Sequence, residues 1–495
     1  MEDTDRLAHA RAALRITVPT EDVLGEPISL ERGENGPSYD YSPLAQLPTP
    51  ITNHGAFQPL EVAKRNPGSS PSTNTRVVSE FQRRRSVSRA GMRHISNPTS
   101  MPANESFPSP PMESATVQFA GREFVAPHLG RTYRFVQVVG SGAFSTVVAA
   151  ENTAQQGDLV AVKIVTVPTD DTTSVRNFRS YICRELGILT HLQHPGVISL
   201  LDYSLSLSLT EEEIEACFFG REEQHAGADM YDLYSTKVAN EQCFFLQYAP
   251  GGSLLSWLSH NARAVHSIHF WRLMRRVVAE LVVTVAYLHS KLVVHRDIKL
   301  ENVLLTADYD IEESEGEQLA EEIFKSSSVC TLTDFGLSKK LSHEGQLLAT
   351  KCGSQDYVSP ELLMGLNYDG ALLDSWALGV LTYCILEDRL PFDMPPPELA
   401  SASGMSPSVL KRRQNKNNPA YRIATIDWDW YRASILQKDM SLSDEAHQII
   451  TQLMELVGLL LVRKERRVSA SNFLDRAGFE WIRASVPSSY LAWRG

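Results

Sequence analysis

From Tyr133 onward, short β-branched runs alternate with Gly-rich or polar turns. Tyr133 to Val139, Thr146 to Glu151 and Leu159 to Val165 read as three successive antiparallel strands. A helical stretch follows at Val175 to Leu192, then two strand candidates at Val197 to Asp202 and Cys243 to Tyr248. Beyond Gly252 the apolar spacing becomes helical, in Phe270 to Ser290, Asp374 to Glu387 and Ser443 to Val462. The pattern predicts an α+β fold of two lobes, a small β-rich N-lobe and a larger helical C-lobe, with a cleft between them suited to a ligand. Residues 204–242, 308–328 and 394–431 break the pattern and read as surface insertions, since connections this long are functional or disordered as a rule. The second holds eight carboxylates against one lysine, and the third carries Pro395-Pro396-Pro397 and Lys411-Arg412-Arg413.

Composition separates the first 120 residues from the rest. They hold 14 of the 26 prolines but 6 of the 41 aromatics and no tryptophan. Such a segment buries too little apolar surface to offset its ordering entropy, so a disordered regulatory tail is expected there. Within it Arg83-Arg84-Arg85-Ser86-Val87-Ser88 places arginines before serines, which suits a basophilic kinase acting on Ser86 or Ser88; a solvated basic run reads equally well. The expected organisation is a tail at 1–120, a lead-in at 121–132, an N-lobe at 133–250, a C-lobe at 251–482 and a short tail at 483–495. A net charge of −12 argues against a nucleic-acid partner. Six scattered cysteines with no CxxC pair suggest a reducing compartment, and the longest apolar run, Val277 to Leu288, contains Glu280 and is too short to span a bilayer. A soluble protein of the cytoplasm with access to the nucleus is expected, its oligomeric state open.

Candidate chemistry begins at Gly140-Ser141-Gly142-Ala143-Phe144-Ser145-Thr146-Val147, between two strand candidates. Glycines there would let backbone N–H groups approach phosphate oxygens, although a glycine-rich hairpin turn explains the run as readily. Val160-Ala161-Val162-Lys163 then puts a lysine on an apolar strand, where an unpaired charge is expensive. Glu185, on the following helical stretch, offers a carboxylate partner, and a triphosphate would offer another. Without those neighbours Lys163 would be an edge-strand lysine with its tip in water.

His295-Arg296-Asp297-Ile298-Lys299-Leu300-Glu301-Asn302, followed by Asp334-Phe335-Gly336, is the strongest segment. With Ser359-Pro360-Glu361, Asp374-Ser375-Trp376-Ala377-Leu378-Gly379 and Arg467 in order behind it, the chain from about Tyr133 to Trp481 resembles the eukaryotic protein kinases. The resemblance implies the bilobal protein-kinase fold and the use of ATP and Mg2+. It assigns Lys163, held by Glu185, to the α- and β-phosphates; Asp334 and Asn302 to Mg2+; Asp297 to the substrate hydroxyl; and Lys299 to the γ-phosphoryl group. Gly140, Ser141, Gly142 and Ser145 would cover the phosphates, Val147, Ala161 and Leu304 would sandwich adenine, and backbone at Gln247 to Ala249 would bond it, with Leu246 behind. Leu189, Phe335 and His295 fit the apolar stack that aligns the lobes.

Lys299, two places after Asp297, looks like a serine/threonine kinase, and the local sequence looks most like the calmodulin-dependent and AMP-activated group. Thr350 sits where that group takes an activating phosphate, which implies an upstream kinase as partner beside protein substrates. A phosphate there would draw in Arg296 and Lys339. With little chain after Trp481, a calmodulin-binding helix of the usual C-terminal kind is not expected. Glu301 could attract a substrate arginine, but Ser253 stands where many basophilic kinases carry a second acid. Ser145 for glycine, Ser359 for alanine and Lys464 for proline depart from the family pattern and keep a rival reading in view, a pseudokinase or scaffold without turnover. A small-molecule kinase of similar fold fits less well.

Overall fold

The computed structural model describes residues 118–141, 145–166, 172–207, 209–219, 241–311, 323, 328–404, 406, 408–409, 411 and 418–494. The expected tail up to residue 117, with Ser86 and Ser88, and Gly142 in the glycine-rich turn lie outside the described residues. Phe119, counted with the tail from composition, is buried against Phe124 and Phe135, because three rings close together make a small core of their own.

Six antiparallel strands form the N-lobe sheet: β1 (Glu123–Ala126), β2 (Arg131–Ser141), β3 (Ser145–Asn152), β4 (Leu159–Thr166), β5 (Leu200–Ser204) and β6 (Glu241–Gln247). Their order is β1-β2-β3-β4-β6-β5. The stretch read as a lead-in therefore supplies an edge strand, with Phe124 opposite Tyr133. The strand expected from Val197 starts only at Leu200. Its first residues cross instead to the other lobe, where Val197 bridges Leu332 and the Ile198 N–H donates to the Leu332 carbonyl at 3.0 Å. Helix α1 (Thr172–His191) crosses behind the sheet and is followed by α2 (Glu211–Phe218).

Helices α3 (Leu254–His260), α4 (Ile268–Ser290), α5 (Gly370–Glu387) and α6 (Asp444–Leu460) build the C-lobe around short strands β7 (Val293–Val294), β8 (Val303–Leu305), β9 (Cys330–Leu332) and β10 (Lys339–Lys340). Helix α4 is apolar nearly all round and buried, as a central core helix must be. Glu280 inside it is fully buried, and it accepts from the Val329 and Cys330 N–H groups, Arg276 Nε and Tyr490 Oη. Length and hydropathy alone would let α5 cross a membrane, but 89% of it is buried inside the lobe. Arg467 closes a buried ion pair on Glu361 at 2.5 and 3.2 Å, and although burial opposes it, the guanidinium holds the Glu361 carboxyl below its usual range. Removing either partner strands a buried charge, at about 3–5 kcal/mol.

Two of the expected surface insertions and the C-terminal tail contribute to the core. Ile214 and Phe218 of α2 are buried, as are Arg422, which donates to the Phe392 and Asp393 carbonyls, and Tyr431. Isolated apolar residues in polar loops carry no periodic signal, so the sequence pattern passed over them. Tyr490 is fully buried against α4, and its carbonyl takes the Nε2–H of His194 at 3.0 Å. Nδ1 of the same ring accepts from the Gly196 N–H at 3.1 Å, so His194 is neutral in the fold, its pKa pushed down to about 4 by burial. The unfolded chain binds that proton more readily, so stability must fall as the pH drops from about 6.5 to about 4, by on the order of 3 kcal/mol at the acid end. Urea midpoints across this range are expected to fall more steeply for the parent than for His194→Asn, and parallel curves would contradict the assignment.

Candidate active site

Strand β4 carries Lys163 into the cleft, where it is 4% exposed. An ammonium this buried needs anions, and two converge on it from distant parts of the chain: Glu185 Oε1 from α1 at 2.7 Å and Asp334 Oδ1 at 3.3 Å. Burial alone would push the ammonium down, but Glu185, Tyr181 and Asp334 together hold its pKa well above the ordinary lysine value. The group is a cation with carboxylates on its protein side. Tyr181, one turn before Glu185, places its ring centroid 5.9 Å from Nζ. Sequence reasoning passed over this tyrosine because nothing marks it off from an ordinary core aromatic.

The backbone is turned left-handed at two non-glycine residues beside the cleft, Arg296 at φ 66° and Asp334 at φ 65°. Such conformations cost about 1–3 kcal/mol each and persist only where the surroundings fix them. Asp374, fully buried in α5, does so for the first by accepting from the His295 N–H at 2.9 Å and the Arg296 N–H at 2.8 Å. The Asp374-to-Gly379 run served as supporting pattern in the sequence; this anchoring role needs the fold to be seen. His295 is buried with its ring edge-on to Phe335 at 4.9 Å, donates from Nε2 to the Thr333 carbonyl at 3.1 Å, and is held neutral by burial. Leu189, Phe335 and His295, expected as an apolar stack, all lie buried in the core that spans both lobes.

Asp297 is fixed through both carboxylate oxygens. Oδ2 accepts from Lys299 Nζ at 2.7 Å and Asn302 Nδ2 at 3.1 Å, while Oδ1 accepts from the Ser354 N–H and Oγ, each at 2.9 Å. Lys299 Nζ also reaches Ser354 Oγ at 2.9 Å. Ser354 is thus a site residue that motif reading left out. It is brought in by Gly353, whose φ of +98° and near approach, a Cβ there lying 2.6 Å from the Arg296 carbonyl, admit only glycine. Asn302 spends its amide N–H groups on Asp297, which turns its carbonyl oxygen toward the cleft as a hard ligand.

Between the lobes lies a mostly apolar pocket lined by Gly140, Val147, Ala161, Lys163, Leu246, Gln247, Ala249, Asn302, Leu304 and Asp334, with Ser253 and Glu301 at its mouth. Ser141 and Ser145 sit at the end of the β2–β3 hairpin, paired with Thr146 and Val165, and their side chains do not line the pocket. Only backbone groups could serve there, so their assignment as nucleotide-binding residues is corrected to that extent. The Gln247 N–H is spent on the Ser199 carbonyl at 2.9 Å, leaving that residue's carbonyl for the pocket. Ser253 Oγ caps α3 by accepting from the Ser256 N–H. Thr350 lies in the segment after Asp334, where its carbonyl accepts from Tyr368 Oη at 2.7 Å, and Arg296 Nε donates to the Leu337 carbonyl at 2.7 Å.

A set of oxygen ligands beside a buried cation, opening on an apolar slot, is the geometry of a phosphate-transfer site. Comparison with known proteins agrees with it. Residues 133–477 match the family model described as protein kinase domain. The chain is 34% identical over 372 residues to the serine/threonine-protein kinase PRR1 of Saccharomyces cerevisiae, covering 71% of this chain and 62% of that protein. It is 33% identical over 215 residues to the serine/threonine-protein kinase ppk27 of Schizosaccharomyces pombe, covering 43% and 42%, and 30% identical over 288 residues to the human NUAK family SNF1-like kinase 2, covering 58% and 35%. The chain thus spans from about a third to just over three fifths of these relatives' lengths. Both lobes and every catalytic motif fall inside the matched span, and the chain belongs to the protein kinase family, with relatives named as serine/threonine kinases.

Proposed function

We propose that the chain is an ATP-dependent serine/threonine protein kinase, moving the γ-phosphoryl group of ATP to Ser or Thr hydroxyls of protein substrates. The convergence of Glu185 and Asp334 on Lys163 carries this reading, because it ties the nucleotide-facing cation to the metal-facing carboxylate. The adenine would lie between Val147, Ala161 and Leu304, bonded to hinge backbone at Gln247 and Ala249 in front of Leu246, with the Gly140 backbone over the phosphates. Lys163 would hold the α- and β-phosphates. The Asp334 carboxylate and the Asn302 amide oxygen suit Mg2+, which takes few protein oxygens and completes its shell with phosphates and water, and which would neutralise charge on the phosphoryl oxygens.

The remaining work is positioning. Asp297, held by Lys299, Asn302 and Ser354, would accept the proton of the substrate hydroxyl as its oxygen bonds to the γ-phosphorus and the bond to the β-phosphate oxygen breaks, releasing ADP. Lys299 would steady the transferring group. An upstream kinase would add phosphate to Thr350, with Arg296 as its cationic partner, and Ser86 and Ser88 would be further phosphosites. We place the protein in the cytoplasm, with access to the nucleus, where its free cysteines stay reduced.

Replacing Asp297 with Asn should lower phosphate incorporation into a protein substrate by about a hundredfold or more while leaving the rise in melting temperature caused by MgATP intact. Turnover at the parent rate would remove Asp297 from the mechanism, and no MgATP-dependent shift in the parent would remove the nucleotide. Thr350→Ala is expected to lower activity severalfold after treatment with an upstream kinase, read as phosphate transfer per minute. Equal rates for mutant and parent would discard that phosphosite.

A further inference from the structure

We infer that α2 is an internal brace that holds α1 in its working position, so that Gly187 and Phe218 act as positioning residues for Glu185. The inference rests on the kinase reading for its functional meaning and on separate contacts for its geometry. Cys183, Gly187 and His191 recur every fourth residue and form one stripe along α1. Glu185 falls halfway between the first two and points from the opposite face, toward Lys163. Helix α2 lies on the stripe. Cys183 Sγ donates to the Glu213 carbonyl at 3.3 Å, Arg179 Nη2 pairs with Glu213 Oε1 at 2.6 Å, and the His191 ring stacks on Phe218 at 4.1 Å with the planes 6° apart.

At Gly187 the two helices come closer than any side chain allows, since a Cβ there would lie 2.5 Å from the Ile214 carbonyl oxygen. Helix α2 is built to keep its place: Thr210 and Glu213 form a reciprocal capping box, and Ile214 and Phe218, one turn apart, bury their side chains. It also touches the second moving part of a phosphotransfer site. Lys340 of β10, six residues beyond Asp334, sets its ammonium 4.6 Å from the centre of the Phe218 ring and donates to the Lys291 carbonyl. One short helix, in a segment read from sequence as a surface insertion, therefore backs both the helix that carries Glu185 and the strand that follows Asp334.

Gly187→Ala separates the brace from ordinary helix stability, because alanine favours a helix interior over glycine while its methyl group must push α2 away. The full-length parent, Gly187→Ala and Phe218→Ala would be compared by hydrogen exchange of peptides covering Tyr181–His191 and Phe335–Leu341, by melting temperature, and by kcat and KM for ATP. The brace predicts faster exchange in both peptides for both variants, and a kcat lowered about tenfold with the Gly187→Ala melting temperature kept or raised. Unchanged or slower exchange of those peptides in both variants would overturn it. A parent without phosphate transfer would sink the kinase reading alone, since the exchange result still decides whether α2 holds α1.

Discussion

A lysine ammonium buried on an apolar strand is the constraint from which the rest of the architecture follows. Lys163 cannot stay charged in β4 unless anions meet it, and the two that do arrive from α1 and from the loop after β9. That requirement fixes the depth of α1 against the sheet and the left-handed turn at Asp334. A second compensated cluster, Lys299 with Asp297 and Ser354, ties the catalytic loop to the segment carrying Thr350. The two clusters meet at Asn302, which gives its N–H groups to one and faces its oxygen toward the other.

Both clusters are held from behind by buried carboxylates in the helical lobe. Asp374 secures the backbone of the catalytic loop, Glu361 pairs with Arg467 beneath the activation segment, and Glu280 gathers the strand that leads to Asp334. Each is saturated with donors, so the C-lobe is a rigid platform. On the other side, α1 is supported by a helix of the chain's own insertion. A site that works by positioning phosphates gains most from such rigidity, because small displacements of the cation or the metal ligands cost large factors in rate.

The sequence made the charged centre readable and hid its supports. Lys163, Asp297, Asn302 and Asp334 stand out because polar residues at fixed offsets within apolar strands have few structural explanations. The long helices were equally plain, since Ile268–Ser290 and Asp444–Leu460 carry sustained apolar periodicity. Ser354, Tyr181 and α2 were not readable: a serine in a loop, a tyrosine on a helix and a short acidic helix look ordinary until distant segments close on them. The Val197 strand failed for a related reason, as its backbone groups pair across the lobes with Leu332, a partner no local pattern announces.

The structure of the full chain with Mg2+ and a non-hydrolysable ATP analogue tests the account most directly. Phosphate oxygens within hydrogen-bonding distance of Lys163 Nζ, with the metal on Asp334 and the Asn302 amide oxygen and the Lys163–Glu185 pair intact, are the predicted result. Nucleotide bound away from this cleft, or a metal held by other side chains, would contradict it.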